Sequence, residues 1–144
     1  MTLEGTHVLS TPGHHRPRRR TDIATYRFER LVEAAVSGLP QAIHAFLDNV
    51  VFTVEDAPTA EQLANHSGPP DNTLFGLYEG TPRTERTSGY GMVLPDKITL
   101  FRKPLEEACP TKHDLIGEIR TTIVHEIAHH FGIDDDRLTE LGWD

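Results

Sequence analysis

The chain has 144 residues, a modest apolar fraction of 37% and a formal net charge of −8. This length suits one compact domain rather than two. The acidic balance argues against a general nucleic-acid binder. No apolar run reaches the ~18 residues of a membrane-spanning helix, and no stretch has the pattern of an export signal. Cys109 is the only cysteine, so no internal disulfide can form, and we expect a cytoplasmic protein.

The charge is unevenly distributed along the chain. Residues 1–22 contain four arginines against Glu4 and Asp22, a net charge of +2, which leaves −10 for the remainder. Because these arginines lie among prolines and a glycine, we predict a flexible basic arm at 1–22 and a single domain at 23–144. Two interpretations of the arm are open: a solvated tail, or a surface that contacts an acidic partner or nucleic acid.

The domain is predicted to begin with two helices and then three strands. Apolar residues recur at helical spacing from near Thr25 until Gly38, and Pro40 opens a second helix. Short β-branched and aromatic runs predict strands at residues 50–54, 74–78 and 97–102. The intervening segments, rich in Gly, Pro and polar residues, are predicted as surface loops at residues 55–73 and 79–95.

A long amphipathic helix is predicted over residues 113–131. Its apolar residues repeat at helical spacing, and Gly132 stands where a left-handed residue would end it. A short helix over residues 136–141 follows, and Trp143 is expected to cover the core.

This order of elements predicts an α+β domain. A short three-stranded twisted sheet would pack on the long helix, with the two N-terminal helices beside it. The third strand alternates polar and apolar residues, which predicts an edge of the sheet. A free edge could bind an extended peptide by strand addition, or its basic side chains could block such pairing, and both interpretations stay open.

The long helix carries the sequence HExxH. His125 and His129 lie four residues apart, on one helical face, so the two imidazoles can bind one metal ion together. Glu126 lies about 100° around the helix from His125, from where it can reach a metal-bound water without being a ligand. Two histidine ligands, a base and a water are the core of a zinc hydrolase. His130 points about 100° away from His129 and is predicted to be a surface residue or a support for the ligands.

A third ligand is expected just after the helix. A tight turn at Gly132 lets the chain return toward the histidines, and Asp135 follows ten positions after His125. Its carboxylate is a suitable zinc ligand and is the one we favour. The alternatives are Asp134, Asp136 and Glu140, of which Asp134 and Asp136 would otherwise serve as a helix N-cap and as solvated charges.

These residues resemble those of the zincin superfamily, and more closely the small minimal zincins with an HExxHxxGxxD motif. The resemblance covers residues 25–144 and includes the segments at residues 54–56, 75–80 and 94–100 besides the motif helix. It implies a zincin-like α+β fold and a zinc peptidase, with His125, His129 and Asp135 as Zn²⁺ ligands and Glu126 as the general base. Metzincins would have His at Asp135 and a downstream Met-containing turn, which this sequence lacks.

The expected reaction is hydrolysis of a peptide or protein substrate by a zinc-activated water, with Glu126 accepting its proton. Tyr90 is a candidate for an additional oxyanion donor, and Cys109 for a thiol latch on the zinc. Zincins usually have a second subdomain that forms the far wall of the cleft, so a homo-oligomer or a partner is expected to complete it here. Two other functions stay open: a weakly active or inactive binding module, and a metal-dependent RNA-processing hydrolase.

Overall fold

A computed structural model describes residues 7–8, 20–65, 74–81 and 94–143 of the chain. The strands in chain order are β1 (His7–Val8), β2 (Val50–Glu55), β3 (Gly76–Glu79) and β4 (Asp96–Phe101). The helices are α1 (Arg20–Ser37), α2 (Gln41–His44), a 3₁₀ turn (Ala45–Leu47), α3 (Ala60–Asn65), α4 (Arg102–Ala108), α5 (Lys112–Phe131) and α6 (Asp135–Glu140). The predicted α+β class is confirmed. The division between an arm at 1–22 and a domain at 23–144 stays a prediction, although the backbones of β1 and the start of α1 lie within that arm.

One mixed sheet has the strand order β1-β2-β4-β3. The central strands β2 and β4 run parallel, and β3 and β1 pair antiparallel on either side of them. The register of the central pair places Thr53 opposite Thr99, and their buried hydroxyl oxygens lie 2.9 Å apart in a hydrogen bond. Each hydroxyl therefore has a partner inside the sheet, where an unpaired one would be costly.

The prediction that the third strand forms an edge is wrong. That strand is β4, which hydrogen-bonds to β2 and β3 on its two sides, so the edge strands are β3 and β1. Two polar residues of β4 have partners in neighbouring strands: the partly exposed Lys97 pairs with Glu79, its ammonium 3.5 Å from the carboxylate, and the fully buried Thr99 bonds to Thr53. The alternation of polar and apolar residues in β4 therefore reflects the two faces of a central strand.

Helix α1 packs against the motif helix α5. Phe28, Val32 and Ala35 of α1 are fully buried in the same core as the apolar residues of α5. At the end of α1 the Nε of Arg120 donates to the carbonyl oxygen of Ala35 at 3.0 Å. The same carbonyl also accepts from the Gly38 N–H at 3.2 Å, so the arginine adds a second donor at the end of the helix.

Two helices were not predicted from the sequence, although both carry local signals. Helix α3 begins with a capping box, in which the Thr59 hydroxyl accepts from Gln62 N–H and the Gln62 side chain accepts from Thr59 N–H. Helix α4 contains Pro104 in its first turn, where a proline costs no helical hydrogen bond. Pro104 therefore lies inside the helix that follows β4 and does not end the strand.

The junction of β4 and α4 is fixed by a buried arginine, the first residue of the helix. The Arg102 side chain is only 8% exposed and donates to Asp56 at 3.1 Å and to Glu106 at 2.9 Å. These two bonds connect the ends of both central strands to the helix that leads into α5. In the described part of the chain, no helix is long and apolar enough to cross a membrane.

Candidate metal centre

The motif helix α5 has a defined start and end. Thr111 caps its N-terminus, with the hydroxyl accepting from the Asp114 N–H at 3.0 Å. Gly132 ends the helix in the left-handed region at φ 68°, as the sequence predicts. The buried apolar side chains along one side hold the helix in the core and turn its other side toward solvent; they include Leu115, Ile119, Ile123 and Ile127.

His125 and His129 lie on the solvent side of α5, one turn apart. Both side chains are exposed, and neither makes a hydrogen bond or ion pair with the residues that the structure describes. Two uncommitted imidazoles at this spacing are the arrangement that binds one metal ion from a single helix.

Glu126 is held by the sheet. Its Oε1 accepts a hydrogen bond of 2.9 Å from the backbone N–H of Tyr78, in the edge strand β3. That N–H points away from β4, because the neighbouring residues Leu77 and Glu79 are the ones whose backbones pair with β4. The half-buried Glu126 carboxylate therefore lies at the outer edge of the sheet, while the helix that carries it also carries the exposed histidine pair.

The segment after Gly132 returns toward the helix. Ile133 N–H donates back to the carbonyl oxygen of Ala128 at 2.8 Å, and Asp134 caps α6 by accepting from Arg137 N–H at 2.8 Å. The predicted N-cap role of Asp134 is confirmed. Asp135, the first residue of α6, is exposed.

Two of the four candidates for a third ligand are already engaged. Asp134 is the N-cap of α6, and Glu140 accepts from Arg137 at 2.9 Å. Asp135 and Asp136 have no side-chain partner among the described residues. Hydrogen bonding thus leaves these two carboxylates available, and Asp135 as the ligand stays a prediction.

The side chains present fit zinc only in part. The two exposed imidazoles and a nearby carboxylate are the donor types that zinc prefers. Across the described ranges, however, no three His, Cys, Asp or Glu side chains lie close enough together to bind one metal ion. The described residues thus supply a two-histidine face, and none of them is brought to it as a third ligand.

A cluster beside Glu126 was not anticipated as part of the site. The Tyr78 hydroxyl donates to Asp96 at 2.6 Å, and its ring stacks on His130 with centroids 4.0 Å apart. Asp96 also accepts from the Thr81 N–H at 2.9 Å. The expectation that His130 supports the site or lies at the surface agrees with this exposed, stacked position. No local pattern joins Tyr78 to Asp96, since their contact depends on the pairing of β3 with β4.

Two further candidates remain, Tyr90 and Cys109. Tyr90 lies outside the described residues. Cys109 precedes the first turn of α5, roughly 20 Å along the helix from His125 at 1.5 Å per residue, so it cannot serve as a latch on the metal. Burial and the nearby Glu118 and Asp114 raise the pKa of its thiol, which also disfavours the metal-binding thiolate.

A histidine pair and a glutamate on one long helix, packed under a mixed sheet whose edge strand holds the glutamate, define the zincin class of folds. The family model for zincin-like metallopeptidases matches residues 47–143, from the 3₁₀ turn to the end of the described chain. This chain therefore belongs to the zincin-like metallopeptidase family. A comparison with curated proteins gave no match.

Proposed function

We propose that this protein is a zinc-dependent peptidase whose site is formed by His125, Glu126 and His129. The observation that supports this most is the position of Glu126: its carboxylate is held by Tyr78 N–H beside two exposed, uncommitted imidazoles. A glutamate with only a structural role would not need the histidine pair, and a structural zinc site would not need a base. Membership of the family supports hydrolase chemistry in general.

His125 and His129 would hold the zinc, with Asp135 as the proposed third ligand. When bound, zinc supplies Lewis acidity, lowering the pKa of a coordinated water toward ~7 and polarising a carbonyl. The carboxylate of Glu126 accepts the proton from the attacking water and then returns it to the leaving amine. The hydrogen bond from Tyr78 fixes the orientation of this carboxylate during both transfers.

The substrate is proposed to be an extended peptide beside β3. This strand is an edge of the sheet and is bonded to Glu126 of the motif helix, and strand addition needs such an edge. The outward N–H of Tyr78 is engaged by Glu126, so pairing would use the other outward backbone groups of β3. We propose a cytoplasmic location on the composition alone.

A binding module on the same scaffold is the second candidate. It is favoured by one observation, the lack of three clustered ligand side chains in the described part of the chain. Such a module would bind zinc weakly or bind a partner without turnover.

The deciding experiment is the zinc stoichiometry of the full chain, followed by a peptide-library cleavage assay. We expect one zinc per chain, lost in His129→Ala and retained in His113→Ala. His113 is a matched control because it is an exposed histidine in the first turn of the same helix. Cleavage should stop on chelation and return with zinc. Zinc binding without turnover would favour the binding module, and an equal loss in both variants would show unspecific metal uptake.

A further inference from the structure

Asp96 is a buried carboxylate at the junction of the two strands nearest the site. It is the first residue of β4 and is only 9% exposed. It accepts from the Tyr78 hydroxyl at 2.6 Å and from the Thr81 N–H at 2.9 Å. The Thr81 hydroxyl in turn donates to the Pro95 carbonyl oxygen at 2.6 Å. These bonds fix the end of β3 against the start of β4.

Tyr78 connects this junction to the motif helix through two different groups. Its backbone N–H donates to Glu126, and its ring stacks on His130 at an interplanar angle of 18°. The edge of the Phe131 ring packs against the same ring, with centroids 5.9 Å apart. One residue of β3 therefore contacts three residues in the last two turns of α5.

A tyrosine that only filled the core would not require these polar contacts. A phenylalanine would stack on His130 equally well and would need no partner for a hydroxyl. The hydroxyl instead binds a buried carboxylate, and hydrogen bonds to charged groups are stronger and more directional than neutral ones. The tyrosine ring is thus held at its far end by Asp96 and on its face by His130.

Resting on the proposed function, we propose that Tyr78, fixed by Asp96, is a positioning residue for the general base Glu126. Asp96 sets the place of the tyrosine ring, and the backbone of the same residue sets the place of the Glu126 carboxylate. A general base must lie within hydrogen-bond reach of the proton that it accepts, so a small displacement of β3 lowers the rate of the chemical step. Substrate binding by strand addition uses several backbone groups of β3, so it depends less on this small displacement than the proton transfer at Glu126 does.

The kinetic test compares Tyr78→Phe with Tyr26→Phe in the zinc-loaded full chain. Tyr26 is an exposed tyrosine of α1, so its variant is a matched loss of one hydroxyl outside the site. We expect kcat for peptide cleavage to fall about tenfold in Tyr78→Phe with KM changed less than about twofold, a fraction of the loss from removing a base. Tyr26→Phe should match the wild type. An unchanged kcat in Tyr78→Phe would overturn the proposal.

A second readout does not depend on activity. Amide hydrogen exchange of Tyr78, measured by NMR on the same proteins, reports its bond to Glu126 directly. We expect this amide to exchange about tenfold faster in Tyr78→Phe and in Glu126→Ala, while the amides of Leu77 and Glu79, which pair with β4, stay protected. Equal acceleration of all three would indicate simple destabilisation and would contradict positioning. If the wild type cleaves no peptide, the proposed function fails, and amide exchange still decides whether Tyr78 positions Glu126.

Discussion

The side chain of Glu126 and the backbone of Tyr78 are joined by a hydrogen bond of 2.9 Å. The glutamate belongs to the helix that carries the histidine pair, and the tyrosine belongs to the edge strand of the sheet. The orientation of the carboxylate thus depends on how the sheet packs against the helix. This relationship connects the proposed chemistry with the stability of the fold.

Glu126→Gln should abolish hydrolysis and keep the metal. The amide oxygen of glutamine can still accept from Tyr78 N–H, but glutamine cannot accept the proton of the attacking water. We expect kcat to fall by roughly 10²- to 10⁴-fold, the usual contribution of general acid–base catalysis. Zinc content, measured by elemental analysis, should stay at the wild-type value. Glu118→Gln, the same change two turns earlier on α5, should leave both unchanged, and substantial activity in Glu126→Gln would refute the mechanism.

The third ligand can be identified by comparing two adjacent aspartates. Removing a partner outside the ligand set typically weakens metal binding 10- to 100-fold, so we expect the loss of a ligand in Asp135→Ala to raise the Kd for zinc by at least about 100-fold. Asp136→Ala should bind zinc as the wild type does, because both carboxylates are exposed and only the former is predicted to reach the histidines. Competition titration with a chromogenic chelator measures the Kd for zinc of both variants. Weaker zinc binding by Asp136→Ala than by Asp135→Ala would identify Asp136 as the third ligand.

Arg102 should be one of the most sensitive charged residues for stability. Its guanidinium is nearly buried, whereas its partners Asp56 and Glu106 are 31% and 39% exposed and can be hydrated when it is removed. We therefore expect Arg102→Ala to lower the free energy of unfolding by about 2 kcal/mol, less than for a fully buried pair. Arg137→Ala, which breaks an exposed pair with Glu140, should cost less than about 0.5 kcal/mol. Urea denaturation compares the two, and similar losses would contradict this assignment.

Two glycines of the motif helix should respond to alanine in opposite directions. Gly117 lies within α5, and a Cβ built there meets no atom within 4 Å. Gly117→Ala should therefore raise the free energy of unfolding by about 0.5–1 kcal/mol, through the lower backbone entropy of the unfolded chain. Gly132 has φ 68°, so Gly132→Ala should lower it by about 1 kcal/mol. Thermal or urea unfolding gives the sign of the change in the free energy of unfolding for each variant. A destabilised Gly117→Ala would mean that the added methyl group meets a neighbouring atom.

The reactivity of Cys109 should reflect its raised pKa. Burial, with the negative charges of Glu118 and Asp114, disfavours the thiolate, so less of it exists at a given pH than in a free cysteine. The midpoint of the alkylation rate against pH should lie above the midpoint for the same protein unfolded in urea. Glu118→Gln should lower the midpoint of the folded protein, since one negative charge is removed. A folded midpoint at or below the unfolded one would contradict this environment.

Features that depend on local sequence were predicted well. The motif helix, its glycine end and the Asp134 cap follow from side chains within a few residues of one another. Trp143, expected to cover the core, is partly buried against it. The helix after Thr59 carried an equally local signal, the capping box with Gln62, which the abundance of turn-forming residues nearby obscured.

Features that depend on strand pairing could not be predicted in the same way. Alternation in β4 has the same appearance whether the strand is central or at an edge, and only its pairing with β2, from Val50↔Asp96 onward, distinguishes the two. The contacts of Tyr78 with Asp96 and Glu126 depend on that same pairing. The general base was therefore predictable from its motif, whereas the residue that holds it was not.

Because α1 packs on α5, the domain defined by the family match differs from the domain defined by the hydrophobic core. The family match begins at residue 47, after this helix has ended, yet Phe28, Val32 and Ala35 form part of the core that supports the motif helix. A fragment cut at the family boundary would expose the apolar back of α5 to water, and we expect it to aggregate or to lose the histidine face. The segment that matches the family, residues 47–143, is thus smaller than the part of the chain that forms the core. A protein truncated at residue 47 would lack α1, so its behaviour would not represent that of the full chain.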